Sequence, residues 1–419
     1  MRRASCVSSS DDSDSECTVP VVTATQQQRD PSPPDAARGA SSQKTTYELT
    51  PEECELLNKA KRRRKTAIVS PDRAVQPTIK ACFAPPSVWP EHTNVSVVDL
   101  FCCIGGFSTG CAASGHRLVL GVDNDQPALD AHAANHPSCR HELMELGPAT
   151  EARLLEIMRE DLPKTDDGTK FLPWHLHGSP PCQKLSALQR TRFPNSTTAE
   201  RQDAFQEGMR MVLWYFDFAQ TCFNTMNLTS WSFEEAPNPQ LLERMRVLQR
   251  SRAAWFDFDI VEFWNFGVPQ TRKRTIGGSP WLIDRVRHDG RLRETRVIQD
   301  VLVPPENAVS LGSVWKADRD KSLDVLDDDT GETINPNSER RTRRLHEVSF
   351  TIMAAFSNMW WHDSHMNRLR TLSIEERKRL QTFPPDYNLP SSTTDQIKGI
   401  GNAIPPLFAQ KFMSRYRPV

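Results

Sequence analysis

The sequence predicts an α/β fold, a mostly parallel sheet with helices on both faces, and three observations carry that expectation. Apolar strand-like runs alternate with helical patterns between about residues 94 and 278, as chains that wind a covered parallel sheet do. The run NVSVVDLF gives way to CCIGGFSTG over residues 94–110, which reads as a strand, a tight turn and a helix start. Glycines at 105 and 106 let backbone approach a ligand closely, and a helix end offers free amide donors. The third is RLVLGVDNDQPALDAH, residues 117–132, a second strand closing on an acid, Asp123. That is about where nucleotide folds set a carboxylate on ribose hydroxyls, so the pair of segments implies an adenosine-type cofactor.

Further along, WHL at residues 174–176 reads as a strand that feeds GSPPCQKLS, residues 178–186. Two prolines hold this backbone extended and deny it helical hydrogen bonds, so Cys182 is displayed at the place where open α/β sheets bind ligands. Most free cysteines are small buried hydrophobes; the glycine turn and acid upstream reverse that default here. The clearest helix spans residues 200–223, with MRMVLWYFDFAQ supplying core aromatics. The apolar strand SWSF ends in Glu234 and Glu235, and adjacent strand residues point to opposite faces, so only one of them can enter a site. In FGVPQTRKR, residues 266–274, alternation would put Arg272 and Arg274 on one shared face. Residues 304–347 have little apolar periodicity, an acidic run DVLDDDTGE and then ERRTRR. QIKGIGNAIPP, residues 396–406, reads as a loop followed by a proline-started helix.

In this order the segments resemble the family of DNA cytosine methyltransferases that modify carbon 5 of the base, over about residues 95–412. DLFCCIGGFSTG is similar to its cofactor loop and GSPPCQKLS to its catalytic loop. FEEAPN resembles the segment with the catalytic glutamate, and FGVPQTRKR the arginine motif. RTLSIEERKRLQTFPPDY and QIKGIGNAIPP resemble the two closing motifs. The resemblance implies a Rossmann-like S-adenosylmethionine-dependent methyltransferase fold with a small target-recognition region, here residues 304–347. It places this region between a catalytic domain over residues 76–303 and a return over 348–419.

The resemblance also implies the chemistry. Carbon 5 of cytosine is too electron-poor for direct methylation, so a nucleophile first adds at carbon 6, and Cys182 is that residue. Nearby positive charge favours its thiolate, with Arg272 and Arg274 as the sources and Arg272 preferred for the base. Glu234 would hold a proton at ring nitrogen 3. Phe101, Gly105, Gly106, Asp123 and Asn402 would bind S-adenosylmethionine, and Gln183, Ser186 and Gln270 the substrate. The partner is duplex DNA with its cytosine flipped out, a tRNA cytosine being the alternative substrate and a scaffold without turnover the alternative role. Three departures bear on these expectations. Cys103 stands where the family usually has glycine, Glu235 where it usually has asparagine, and Glu145 is the stand-in for an acid on the adenine amine.

Whole-chain numbers exclude other classes. In 419 residues there is room for a large core, and no apolar run is long enough to span a membrane. The ten cysteines all fall at or before Cys222 without CxxC spacing, suggesting neither a zinc site, so no metal, nor a disulfide framework. A net charge of −1 leaves polyanion binding to local patches. Residues 1–75 read as a disordered arm carrying SDDSDSE and a basic cluster, KAKRRRK, a solvated run or a nuclear localisation signal, which makes the nucleus the expected compartment.

Overall fold

The computed structural model describes residues 94–181, 198–290, 295–314, 325–326, 333–334, 342–354 and 358–414. The amino-terminal arm with its basic cluster, and Cys182, Gln183 and Ser186, lie outside the described residues.

The first half winds a sheet from β1 (Ser96–Leu100), β2 (Arg117–Asp123), β3 (Arg140–Leu143), β4 (Trp174–Gly178) and β5 (Leu228–Glu235). With β6 (Asp257–Glu262) and β7 (Lys273–Gly278), the order across the sheet is β3-β2-β1-β4-β5-β7-β6. The first five strands pair in parallel. Strand β7 runs antiparallel to both β5 and β6, because the short connection from β6, containing a 3-10 turn at Phe263–Asn265, cannot make a parallel crossover. Succession runs outward from β1 through β2 to β3, and on the other side through β4 to β5. The switch point therefore falls at the carboxyl end of β1, where such sheets bind ligands.

Period-two alternation divides the sheet into two faces, with a register shift in the β1–β2 pairing that sends Leu118 and Leu120 to opposite ones. Val98, Leu100, Leu120, Trp231 and Phe233 pack with helices α3 (Glu151–Asp161), α4 (Thr198–Thr225) and α5 (Pro239–Ser251). Val95, Val97, Leu118 and Ile276 pack on the other side with α1 (Gly106–Ala113), α6 (Pro280–Gly290) and α10 (Pro406–Ser414). Each large side chain fully buried in these layers contributes about 1.5–3 kcal/mol. Helix α2 (Gln126–Asn135) follows β2, and the short α7 (Ile298–Val301) follows α6.

Beyond α7 the chain forms a four-stranded antiparallel sheet in the order β11-β8-β12-β13. Its strands are β8 (Ser310–Val314), β11 (Thr342–Arg344), β12 (Asn358–His362) and β13 (Arg368–Thr371). Two-residue strands β9 (Val325–Leu326) and β10 (Thr333–Ile334) pair between β8 and β11 in sequence. The sheet thus takes two strands from residues 304–347 and two from beyond them. Helix α8 (Ile374–Leu380) starts at a capping box in which Ser373 accepts from the Glu376 N–H and Glu376 accepts from the Ser373 N–H. Helix α9 (Thr393–Asn402) then leads into α10. A third core, including Ile104, Leu311, Ile352, Trp361, Phe383 and Ile400, joins the small sheet and the closing helices to the loop after β1.

Candidate active site

Leaving β1, the chain bends through left-handed backbone at Phe101, Cys103 and Gly105, with φ of 57°, 50° and 91°. Glycine carries such angles freely, whereas a side chain at a left-handed position costs about 1–2 kcal/mol. Cys103 bears that cost where the resembled family has glycine. What holds it is Asp123 at the end of the neighbouring strand: its Oδ2 accepts from the Cys103 N–H at 2.8 Å and its Oδ1 from the Asp125 N–H at 2.9 Å. Burial pushes the Asp123 carboxyl up from its ordinary range, and the two N–H bonds pull the other way.

Gly105 and Gly106 do something other than leave room for a ligand. A Cβ on Gly105 would lie 2.8 Å from His132 Cδ2 and 2.9 Å from the Tyr387 hydroxyl, and one on Gly106 only 2.1 Å from the Ile404 carbonyl. Protein fills that space, so these glycines let the closing segments dock on the loop. The groups suited to a ligand are the first amides of α1, which begins at Gly106. Phe101 is half-buried and lies edge-on to Trp214, ring centres 6.4 Å apart. An aromatic ring, a carboxylate and a helix amino terminus at the ends of adjacent strands form a donor and acceptor set that fits a nucleoside.

Across the sheet, at the same edge, Glu234 Oε1 lies 2.7 Å from Arg274 Nε. Register explains the pairing. Glu234 sits opposite Ile276 of β7, and Arg274, two residues from Ile276, shares its face. Glu235 sits opposite Thr275 and faces the other way, so one acid of the doublet reaches the arginine. Between the acidic pair and the loop runs β4, whose end at Gly178 leads through buried Pro180 to exposed Pro181. Gly178 is hydrogen-bonded level with Leu100 and Phe233.

The profile of the family described as C-5 cytosine-specific DNA methylase matches residues 95–216 and 294–416. The chain belongs to that family. It is an S-adenosylmethionine-dependent DNA cytosine-5 methyltransferase. Among curated relatives, the type II methyltransferase M.HgiDI of Herpetosiphon aurantiacus is 26% identical over 329 residues, covering 74% of this chain and 90% of the relative. The type II methyltransferase M1.HphI of Haemophilus parahaemolyticus is 24% identical over 342 residues, covering 76% and 85%. The solved Dnmt2 methyltransferase of S. pombe superposes with a TM-score of 0.46 at 15% identity over 76% of this chain and 97% of that one. The fold assignment rests on the methylase's own strand order rather than on that likeness.

The arginine motif departs from the sequence expectation. Arg272 precedes β7 instead of alternating within it, and the residue is 1% exposed. Its Nη1 donates to the carbonyls of Ile352 at 3.1 Å and Gly401 at 2.9 Å, and its Nη2 to that of Asn402 at 3.5 Å. Of the two arginines of the motif, it is Arg274 whose guanidinium lies beside Glu234. Gln270 is fully buried: its Nε2 donates to the Leu380 carbonyl and Gln381 Oε1, and its Oε1 accepts from the Ile352 N–H. These bonds occupy its amide, so Gln270 ties the arginine segment to the closing motifs and does not reach a base. Asn402 ends α9, whose Gly399 packs on Ile104 of the cofactor loop. Glu145 is exposed just past β3, where the Met144 N–H donates to the Asp123 carbonyl.

Sequence reading missed a buried polar network beneath the cofactor loop. Ser108 Oγ donates to Asp99 Oδ2 at 2.7 Å, His132 Nε2 lies 3.0 Å from Ser108 Oγ, and His132 Nδ1 lies 2.8 Å from His141 Nε2. Burial raises Asp99 to about 7 and lowers His132. Tyr387 closes the loop from the other side by donating to the Ile104 carbonyl. Spacing gives no warning of contacts spanning 283 residues. Another ion pair, Lys398 to Asp125, fastens α9 to the turn after β2. Among the described residues no cluster of His, Cys, Asp or Glu is arranged to hold a metal ion, and no helix is long and apolar enough to cross a membrane.

Proposed function

We propose that this methylase acts on a cytosine flipped out of duplex DNA, through covalent addition of Cys182 at carbon 6. The observation that carries the reading is the Glu234 and Arg274 pair at the sheet edge from which the Cys182 segment departs. Addition of the thiolate drives electrons to ring nitrogen 3, where Glu234 holds the proton. Arg274 orients Glu234 and donates to the base carbonyl, the part that the sequence expectation gave to Arg272. S-adenosylmethionine supplies an electrophilic methyl group for carbon 5. Asp123 takes the ribose hydroxyls on its outer lone pairs, Phe101 packs on the adenine, and the α1 amides meet the polar end of the cofactor. Loss of the carbon 5 proton then expels Cys182. Flipping is required because a thiol on a loop cannot reach carbon 6 inside a base stack. The small sheet, with the exposed strand β13 at its edge, is the surface for reading the target.

Purified full-length protein, labelled S-adenosylmethionine and either duplex DNA or tRNA test this reading. Label should enter DNA, 5-fluorocytosine in the duplex should trap a covalent adduct, and Cys182→Ser should abolish transfer while cofactor still binds. Label entering tRNA alone would assign the other substrate, and transfer by the serine variant at a comparable rate would refute the covalent route.

A further inference from the structure

Glu235 is the acid of the doublet that the reaction above does not use, and its surroundings define its chemistry. It is 0% exposed. Its Oε2 accepts from the Ala236 N–H at 2.9 Å, and among the described residues its Oε1 has no hydrogen-bond partner. The cross-strand neighbour by register, Thr275, is also fully buried, and among the described residues its hydroxyl also lacks a partner. On this face β5 presents Trp231 and Phe233, and the helix packed there, α4, presents Met209, Val212, Tyr215 and Phe216. Tyr215 spends its hydroxyl on the Ser232 carbonyl at 2.7 Å. Among the described residues the charges acting on Glu235 are Glu234, which opposes its ionisation, and Arg274, which favours it. Arg274 lies on the opposite face of the sheet, engaged with Glu234.

A carboxylate removed from water without a partner costs several kcal/mol, and such a group stays neutral instead. Were both neighbours ionised, a second negative charge would stand beside Glu234 and draw on the field of one guanidinium across the sheet. We propose that Glu235 is a neutral carboxylic acid, protonated on Oε1, whose lack of charge leaves the field of Arg274 to Glu234. It is a positioning residue: it acts on the base only through the Glu234 and Arg274 pair. A protonated carboxyl also carries a carbonyl and a donor hydroxyl, matching in shape the side-chain amide usual at this position in the family. The catalytic consequence rests on the function proposed above; the protonation state does not.

Infrared spectra of full-length wild type and Glu235→Gln at neutral pH test the protonation directly. Asp99, raised by burial to about 7, absorbs in both proteins, so the wild-type-minus-variant difference spectrum should retain one protonated-carboxyl carbonyl band, that of Glu235. Thermal melts across pH supply a second readout. Burial raises the Glu235 carboxyl well above its ordinary range, so the stability of its neutral form is complete below about 4.3 and is lost as pH rises. The variant does not titrate, so its melting temperature should gain on wild type as pH climbs from that value. On DNA, kcat of wild type should fall at alkaline pH and that fall should be missing from the variant. Absence of that difference band, or melting curves that stay parallel across pH, overturns the inference. Absence of methyl transfer by wild type in any condition would instead overturn the function, leaving band and melts to decide this point.

Discussion

Replacing Asp123 by alanine separates two jobs that the structure gives one carboxylate. Its oxygens each accept a backbone N–H, at 2.8 and 2.9 Å, and one of these fixes Cys103 in its left-handed turn. Hydrogen bonds to an ionised acceptor are worth about 1.5–3 kcal/mol each, so up to about 3–6 kcal/mol of loop anchoring is at stake. Loss of the ribose acceptor adds about 1–3 kcal/mol to the cofactor's binding free energy, a rise in Kd of roughly 5- to 150-fold. Calorimetric titration with S-adenosylmethionine measures the affinity, and thermal melting without cofactor measures the anchoring. Adding Cys103→Gly removes the left-handed penalty of about 1–2 kcal/mol, and in the Asp123→Ala background should recover a comparable part of the lost stability, since the sites are in contact. A folded Asp123→Ala variant with unchanged affinity and unchanged melting would refute both jobs and shift the ribose contact to Asp125.

Three other variants probe the same architecture. Asp99, raised by burial from 3.8 to about 7, contributes its full neutral-form stability below about 3.8 and loses it as pH rises towards 7. Asp99→Asn should therefore gain on wild type in melts between those values and hold a constant lead above them, with a ceiling of about 4 kcal/mol at ~1.4 kcal/mol per pH unit; a lead that shrinks with pH contradicts this. Arg272→Ala should lower stability by about 2–5 kcal/mol by stranding buried carbonyls, whereas Arg274→Ala should stay folded and lose roughly 100-fold or more in kcat; the reverse pattern in melts and single-turnover rates would exchange their roles. Gly106→Ala drives a Cβ to 2.1 Å from a backbone carbonyl and should cost about 1–3 kcal/mol or more, and a variant melting like wild type would show that the closing segment does not dock as described.

Much of the architecture was legible because local patterns declare it. Strand β2 spans Arg117–Asp123, as its apolar run and terminal acid indicate, and the helix expected over 200–223 runs Thr198–Thr225. Alternation assigned opposite faces to Glu234 and Glu235, and cross-strand register keeps them apart. The left-handed angle at Cys103 gives the physical reason for the glycine usual at that position. Such features depend on residues within a few positions of one another, which is the range over which period and propensity act.

The same alternation misassigned Arg272, and the reason is physical rather than statistical. Period two holds only inside a strand, and β7 begins at Lys273, one residue too late to carry Arg272 to the face of Arg274. Outside the strand, the direction of its side chain is decided by unpaired carbonyls at Ile352 and Gly401, 80 and 129 residues away, which a buried guanidinium satisfies with its planar set of donors. Gln270 yields to the same demand across 82 residues, satisfying the Ile352 N–H. The motif therefore splits its work: Gln270 and Arg272 clamp the returning chain, and only Arg274 faces the acid. That clamp accounts for the spacing of the motif as well as a row of base contacts would, since three polar side chains in five residues are needed both to hold the closing segment against the sheet and to present one cation beside Glu234.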